Sequence, residues 1–185
     1  MININNEVYE NLRTSLTIHH QLYKKIRCKS DYLEELLASS FESADYKVKW
    51  KPASHDKKKD LVVNGKNLSI KSGVLKPQKK MIGINGHRLT RFKHDLNEIT
   101  NYLNKSTDTL CVYNPQKSSQ IHKYSLAIVN KEKFSNLQKN KWQERENSFK
   151  QINDFGVEFT IQKKMSDQVW WEIPVQQLEL NKILI

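Results

Sequence analysis

At 185 residues the chain is sized for one domain with a real core, residues 1–185. Its formal net charge of +11 implies an anionic partner, most simply nucleic acid; the excess of Lys over Arg and the frequent Asn and Ile are also what an AT-rich genome would give, so compositional drift is the alternative source of part of that charge. No apolar run is long enough to span a bilayer and no signal peptide is apparent, so membrane function is excluded; Cys28 and Cys111, far apart and without zinc-type spacing, read as reduced thiols of a cytoplasmic protein.

Residues 6–27 carry Val8, Leu12, Leu16, Leu22, Tyr23 and Ile26 at helical spacing, and a helix is expected there, open to interruption near residues 17–20. His19 and His20 read as a polar helix face rather than a metal site, because adjacent helical residues point in different directions. The stretch SDYLEELLASSF predicts a second helix, with Ser30 or Asp31 as N-cap and Leu33, Leu36, Leu37 and Phe41 as its apolar stripe. Glu34 flanks that stripe and Glu35 points further toward solvent. Residues 46–50 alternate like a strand, and SHDKKK at 54–59 is a basic connection whose Lys57, Lys58 and Lys59 are either a solvated loop or phosphate contacts.

Residues 60–73, DLVVNGKNLSIKSG, hold the most informative pattern. Asn64-Gly65 is a strong hairpin signal because both turn residues tolerate positive φ. A two-residue loop pairs Val63 with Lys66, Leu61 with Leu68 and Asp60 with Ser69. Leu61, Val63, Leu68 and Ile70 then share a core face, while Asp60, Ser69 and Lys71 meet on an open opposite face. Ser72-Gly73 is expected to end the strand, followed by a basic loop around Pro77, a short strand at 81–84 and a turn at Asn85-Gly86. Arg88 and Arg91 precede a helix at 95–103 with Leu96, Ile99 and Leu103 inward. They are read either as surface charge or as phosphate ligands at the helix N-terminus.

Strands are expected at 109–113 and 122–130, giving a mixed sheet with a crossover helix. Residues 131–150 read as a polar helix anchored by Phe134, Leu137, Trp142 and Phe149. Strands follow at 157–161 and 169–173, where Trp170 and Trp171 point to opposite faces, one core and one exposed. Leu178, Leu180, Ile183, Leu184 and Ile185 form an apolar tail that needs cover.

A carboxylate beside a lysine suits phosphodiester hydrolysis: the carboxylate can hold a hard cation such as Mg²⁺, and the ammonium can sit by the attacking water. The bland alternative is an ordinary solvated Asp–Lys pair. Asp60, followed after an apolar stretch by Ser69-Ile70-Lys71, resembles the core of the PD-(D/E)xK nuclease superfamily. Asp60 matches the family's Asp and Lys71 its Lys, whereas Ser69 stands where a second carboxylate is expected. The family often places a Glu on a preceding helix, a position that Glu34 matches; the alternative for Glu34 is a first-turn acid complementing the helix dipole.

The order of elements over about residues 30–130 is similar to the family's α/β core, a restriction-endonuclease-like mixed sheet flanked by helices. The resemblance implies a Mg²⁺-dependent DNA endonuclease with Asp60, Glu34 and the Ile70 carbonyl as metal ligands. Lys71 would position or activate the water, and Ser69 would hydrogen-bond a metal-bound water. No separate device for reading base edges is evident. The chain resembles the small subunit of heterodimeric Type IIS restriction endonucleases, which cuts one strand of duplex DNA and relies on a larger nicking subunit for recognition. Rival expectations are a self-sufficient homodimeric Type II enzyme, a junction or repair nuclease, and a non-catalytic nucleic-acid-binding subunit with a degenerate nuclease fold.

Overall fold

The computed structural model describes residues 2–29, 31–50, 60–115, 118–164 and 167–185. Its architecture is α/β, a mixed sheet flanked by three α-helices among the described residues. Helices α1 (Asn6–Leu22) and α2 (Asp31–Glu42) lead into the two-residue strand β1 (Val48–Lys49) and the hairpin β2 (Leu61–Val63) and β3 (Lys66–Lys76). Strand β4 (Met81–Arg88), helix α3 (Leu96–Leu103), β5 (Asp108–Pro115) and β6 (Ser125–Val129) complete the first part of the sheet. Strands β7 (Gln143–Arg145), β8 (Ser148–Ile152), β9 (Glu158–Gln162), β10 (Gln168–Pro174) and β11 (Leu180–Ile183) extend it.

The sheet order is β11-β6-β5-β3-β4-β10-β9-β8-β7, with β2 joined to β3 and β1 to β2. The hairpin has the expected register, Val63 opposite Lys66 and Leu61 opposite Leu68. Asn64 and Gly65 both take positive φ, 48° and 79°, which fits the twist of a tight hairpin. β3 and β5 run parallel, from Leu68 opposite Asp108 to Leu75 opposite Pro115, and β4 with α3 forms the crossover between them.

Both faces of the sheet are buried along β5 and β6. Leu61, Val63, Leu68 and Ile70 join Leu110, Val112, Leu126 and Ile128 under the apolar stripes of α1 and α2. Ile82, Ile84, Cys111, Val129, Phe159 and Trp171 pack with Ile99 and Leu103 of α3 on the other face. The face of Ser69 and Lys71 is therefore not open, as the alternation alone implied: Ser69 is only 3 % exposed, because α3 covers that side.

Several boundaries differ from the sequence-based expectation. Helix α1 is uninterrupted and ends at Leu22; Leu22, Tyr23 and Ile26 are exposed, since only Val8, Tyr9, Leu12 and Leu16 face the sheet. β3 does not end at Ser72-Gly73 and β4 does not turn at Asn85-Gly86. Those glycines mark close approaches within the sheet layers: a Cβ on Gly73 would lie 2.8 Å from Ile82 Cγ2 and 2.9 Å from Cys111 Sγ, and one on Gly86 would lie 2.8 Å from Val169 Cγ1.

Residues 131–150 form 3₁₀ turns and the β7–β8 hairpin instead of a helix. Side-chain amides satisfy the irregular backbone there: Asn153 Nδ2 donates to the carbonyls of Lys133 and Ser135, and Gln151 Nε2 to that of Gln138. The anchors Phe134 and Leu137 are buried as expected. The apolar tail finds its cover by adding β11 to the edge of β6, with Leu184 buried and Ile183 left exposed.

Both cysteines are free and buried, and burial pushes Cys28 up to about 11 and Cys111 up to about 12. No helix among the described residues is long and apolar enough to cross a membrane.

Gly73→Ala should destabilise the protein by about 1–3 kcal/mol, the usual cost of overpacking. A lowered urea midpoint with an unchanged m-value is the expected readout.

Candidate active site

The site forms where one strand edge changes partner. Along one side β3 pairs with β2 over residues 66–68 and with β4 over residues 73–76, and no described strand pairs with residues 69–72 between them. Asp60, just ahead of β2, closes this gap. Its N–H donates to the Leu68 carbonyl at 2.9 Å, which fixes the backbone and aims the side chain at β3.

Oδ2 of Asp60 accepts three hydrogen bonds: from the Ile70 N–H at 2.7 Å, from Lys71 Nζ at 2.9 Å and from Ser69 Oγ at 3.0 Å. Lys71 Nζ also donates to the Ile70 carbonyl at 2.9 Å. One ammonium is thus bound between a carboxylate oxygen and a backbone carbonyl oxygen. The Lys71 and Asp60 side chains are 15 % and 22 % exposed, so the pair is shielded more than an ordinary surface bridge but still reaches solvent.

Glu34, in the first turn of α2, completes a second carboxylate beside this pair. Burial raises its carboxyl above the ordinary range, the Asp60 carboxylate pushes in the same direction, and Lys71 partly offsets both. The Trp50 indole lies beside the same carboxylate, although its buried Nε1–H closes no hydrogen bond of ordinary geometry. Glu35 is exposed, so of the two adjacent acids only Glu34 belongs to the site.

The expected residues are therefore brought together in part. Asp60, Ser69, Ile70, Lys71 and Glu34 form one cluster. Ser69, however, is buried and spends its hydroxyl on Asp60, so it orients the carboxylate rather than reaching a metal-bound water. Arg88 ends β4 and does not enter the cluster. Arg91 lies in a 3₁₀ turn with its guanidinium over Phe92 and Tyr102, 4.6 and 4.4 Å from the ring centroids. The N-terminus of α3 is capped by Asp95, whose carboxylate accepts from the N–H groups of Asn97 and Glu98, so the reading of Arg88 and Arg91 as phosphate ligands at that helix end is not supported. Lys57, Lys58 and Lys59 lie outside the described residues.

Glu34, Ile70 and Lys71 line a cleft of about 790 Å³. Sequence reasoning missed the Trp50 indole beside Glu34 and the wall of the cleft made by residues 25–29, whose signal was the cation-rich run KKIRCK. Trp170 is on the cleft and 37 % exposed, while Trp171 is 2 % exposed in the core, as strand alternation requires.

Two carboxylates and a carbonyl are hard oxygen donors of the kind that Mg²⁺ accepts. The Asp60 Oδ2 and Ile70 O atoms converge on one positive charge, the Lys71 ammonium. Among the described residues no group of three His, Cys, Asp or Glu side chains converges, so a metal here would depend on that backbone carbonyl. A scan against protein-family models finds no match, and searches of curated proteins and of solved structures find none either.

The raised Glu34 carboxyl has a consequence for stability. Folding favours its protonated form, so its contribution is fully present below the ordinary value of 4.5 and is lost as pH rises through the higher folded value. Glu34→Gln, neutral at every pH, should therefore melt above the wild type at pH 7 in metal-free buffer, with the gap closing below pH 4.5. Thermal melts across that range measure it.

Proposed function

We propose that the chain is a Mg²⁺-dependent DNA endonuclease with a restriction-endonuclease-like core, resembling the PD-(D/E)xK superfamily. In this reading it cuts one strand of duplex DNA as the small subunit of a heterodimeric Type IIS enzyme and takes its site recognition from a larger partner. The observation that carries the reading is the Asp60–Lys71 pair closing the β3 edge between β2 and β4, with Glu34 beside it. The succession α2, β2–β3, β4, α3, β5 and β6 supports it.

Asp60, Glu34 and the Ile70 carbonyl would hold Mg²⁺, which when bound supplies charge neutralisation at the scissile phosphate and acidifies water. The chain's own groups do the rest. Lys71 has three N–H donors; with the Ile70 carbonyl given to the metal, the one on Asp60 stays engaged among the described residues and two are left for a phosphate oxygen or the attacking water. Its positive charge favours the negative charge that develops as the phosphorus–oxygen bond breaks. Ser69 and the Ile70 N–H keep the Asp60 carboxylate from rotating away.

One observation favours a second reading, a nucleic-acid-binding subunit without catalysis: the described acidic residues give two converging carboxylates and no third. Activity separates the two. Supercoiled duplex DNA with Mg²⁺ should stay intact with the purified chain alone and be cut on both strands when extract of the source organism is added. Lys71→Ala should lower that cutting by about 100-fold or more, the scale of general acid–base effects. Cutting at defined sites by the chain alone would favour the self-sufficient homodimer, and silence in every mixture would overturn the enzyme reading.

A further inference from the structure

Helix α1 ends at Leu22, earlier than its apolar pattern predicts, and this frees residues 23–29 to form a connection to α2 that borders the cleft. Lys25, Arg27 and Lys29 of this connection line the same cleft as Lys71. None of the three forms an ion pair with a described carboxylate, and Glu34 is the only acidic residue among the lining residues. Lys71 is paired with Asp60, but the other three cations around the cleft repel one another, a cost that an anion in the cleft would remove.

The connection is also held in place rather than left loose. The Cys28 N–H donates to Tyr124 Oη at 2.9 Å, His20 Nε2 contacts the same oxygen at 2.8 Å, and His19 Nε2 lies 3.0 Å from the Ile26 carbonyl. Cys28 is buried between two cations, which anchors the backbone while the charged side chains stay at the surface. Trp170, from β10, presents its ring on the same cleft from the sheet.

We propose that Lys25, Arg27 and Lys29 grip the phosphate backbone of duplex DNA along this cleft and lay one strand against Lys71, with Trp170 in apolar contact with the sugars or base edges. That the gripped strand is the one cut rests on the nuclease reading; the grip itself does not. Phosphates neutralised by cations release counterions, so each neutralised phosphate steepens the salt dependence of binding.

The test is anisotropy of a labelled duplex with the full chain in EDTA, where no cutting occurs, across a salt series. The combined Lys25→Ala, Arg27→Ala and Lys29→Ala variant should reduce the log–log salt slope by about 0.9 for each phosphate that is no longer neutralised, and weaken binding at least about tenfold. Trp170→Ala should weaken binding with the slope unchanged. The exposed Lys131, Lys139 and Lys141 lie off the cleft, and their combined Ala variant should change affinity less than about twofold even though it removes the same charge. Thermal melts confirm that all variants fold. An unchanged slope in the cleft variant, an equal weakening in the remote variant, or no DNA binding by the wild type would overturn the proposal. Binding abolished in the cleft variant while no mixture ever cuts DNA would leave the grip standing and remove the nuclease reading; cutting with an unchanged slope would do the reverse.

Discussion

The structure depends on how the edge of β3 is closed. An eleven-residue strand that exchanges β2 for β4 along one side leaves backbone groups at 69–72 without a ladder partner there. Asp60 supplies the acceptor that the Ile70 N–H needs, at 2.7 Å. Leaving a shielded N–H without a partner costs about 1–3 kcal/mol, so the carboxylate has a structural duty before it has a chemical one. The same bond fixes where the carboxylate points, and Lys71 and Glu34 then meet it there. The parallel β3–β5 ladder already holds the backbone of Ile70 and Lys71, and the Asp60 N–H bond to the Leu68 carbonyl holds that of Asp60.

The two faces of the sheet explain why the site lies where it does. Helices α1 and α2 cover one face at β2, β3, β5 and β6, and α3 with the later strands covers the other. Beyond β3, the face that carries Val74, Gly83, Trp170 and Thr160 has no helix over it among the described residues. The cleft is the step between the covered and uncovered parts of that face, with Ile70 and Lys71 at its border and the 23–29 connection as its wall. On the uncovered side Lys76 and Lys79 both pair with Glu172, so part of the positive charge is neutralised there while the cations of the cleft wall are not.

Much of this was legible in the residues. Asn64-Gly65 sets the hairpin register, the register sets which side chains share a face, and that places Asp60, Ser69 and Lys71 together before any tertiary contact is known. Glu34 was suggested by the resemblance to the nuclease family, and its place beside the stripe of α2 separated it from Glu35. What escaped was decided by packing between distant segments. Gly73 and Gly86 look like turn residues locally, but they are needed where Ile82, Cys111 and Val169 crowd the backbone. Whether the Ser69 face is open depends on α3, some thirty residues away in sequence. The polar run at 131–150 fits a helix by spacing, yet amides of Gln151 and Asn153 capture its carbonyls and make strands and turns instead. The cation wall was hidden because the apolar period of α1 continues through Ile26, although the helix itself stops at Leu22.

The central claim is that Asp60, Glu34 and the Ile70 carbonyl form a site for a hard divalent cation, and metal binding itself tests it most directly. Mn²⁺ titrated into the wild-type chain should give a bound signal in electron paramagnetic resonance at pH 8. Binding should weaken toward pH 5, since a Glu34 carboxyl raised above 4.5 must lose its proton to serve as a ligand. It should be abolished in Asp60→Asn. No binding by the wild type, or binding unchanged in Asp60→Asn, would contradict the account.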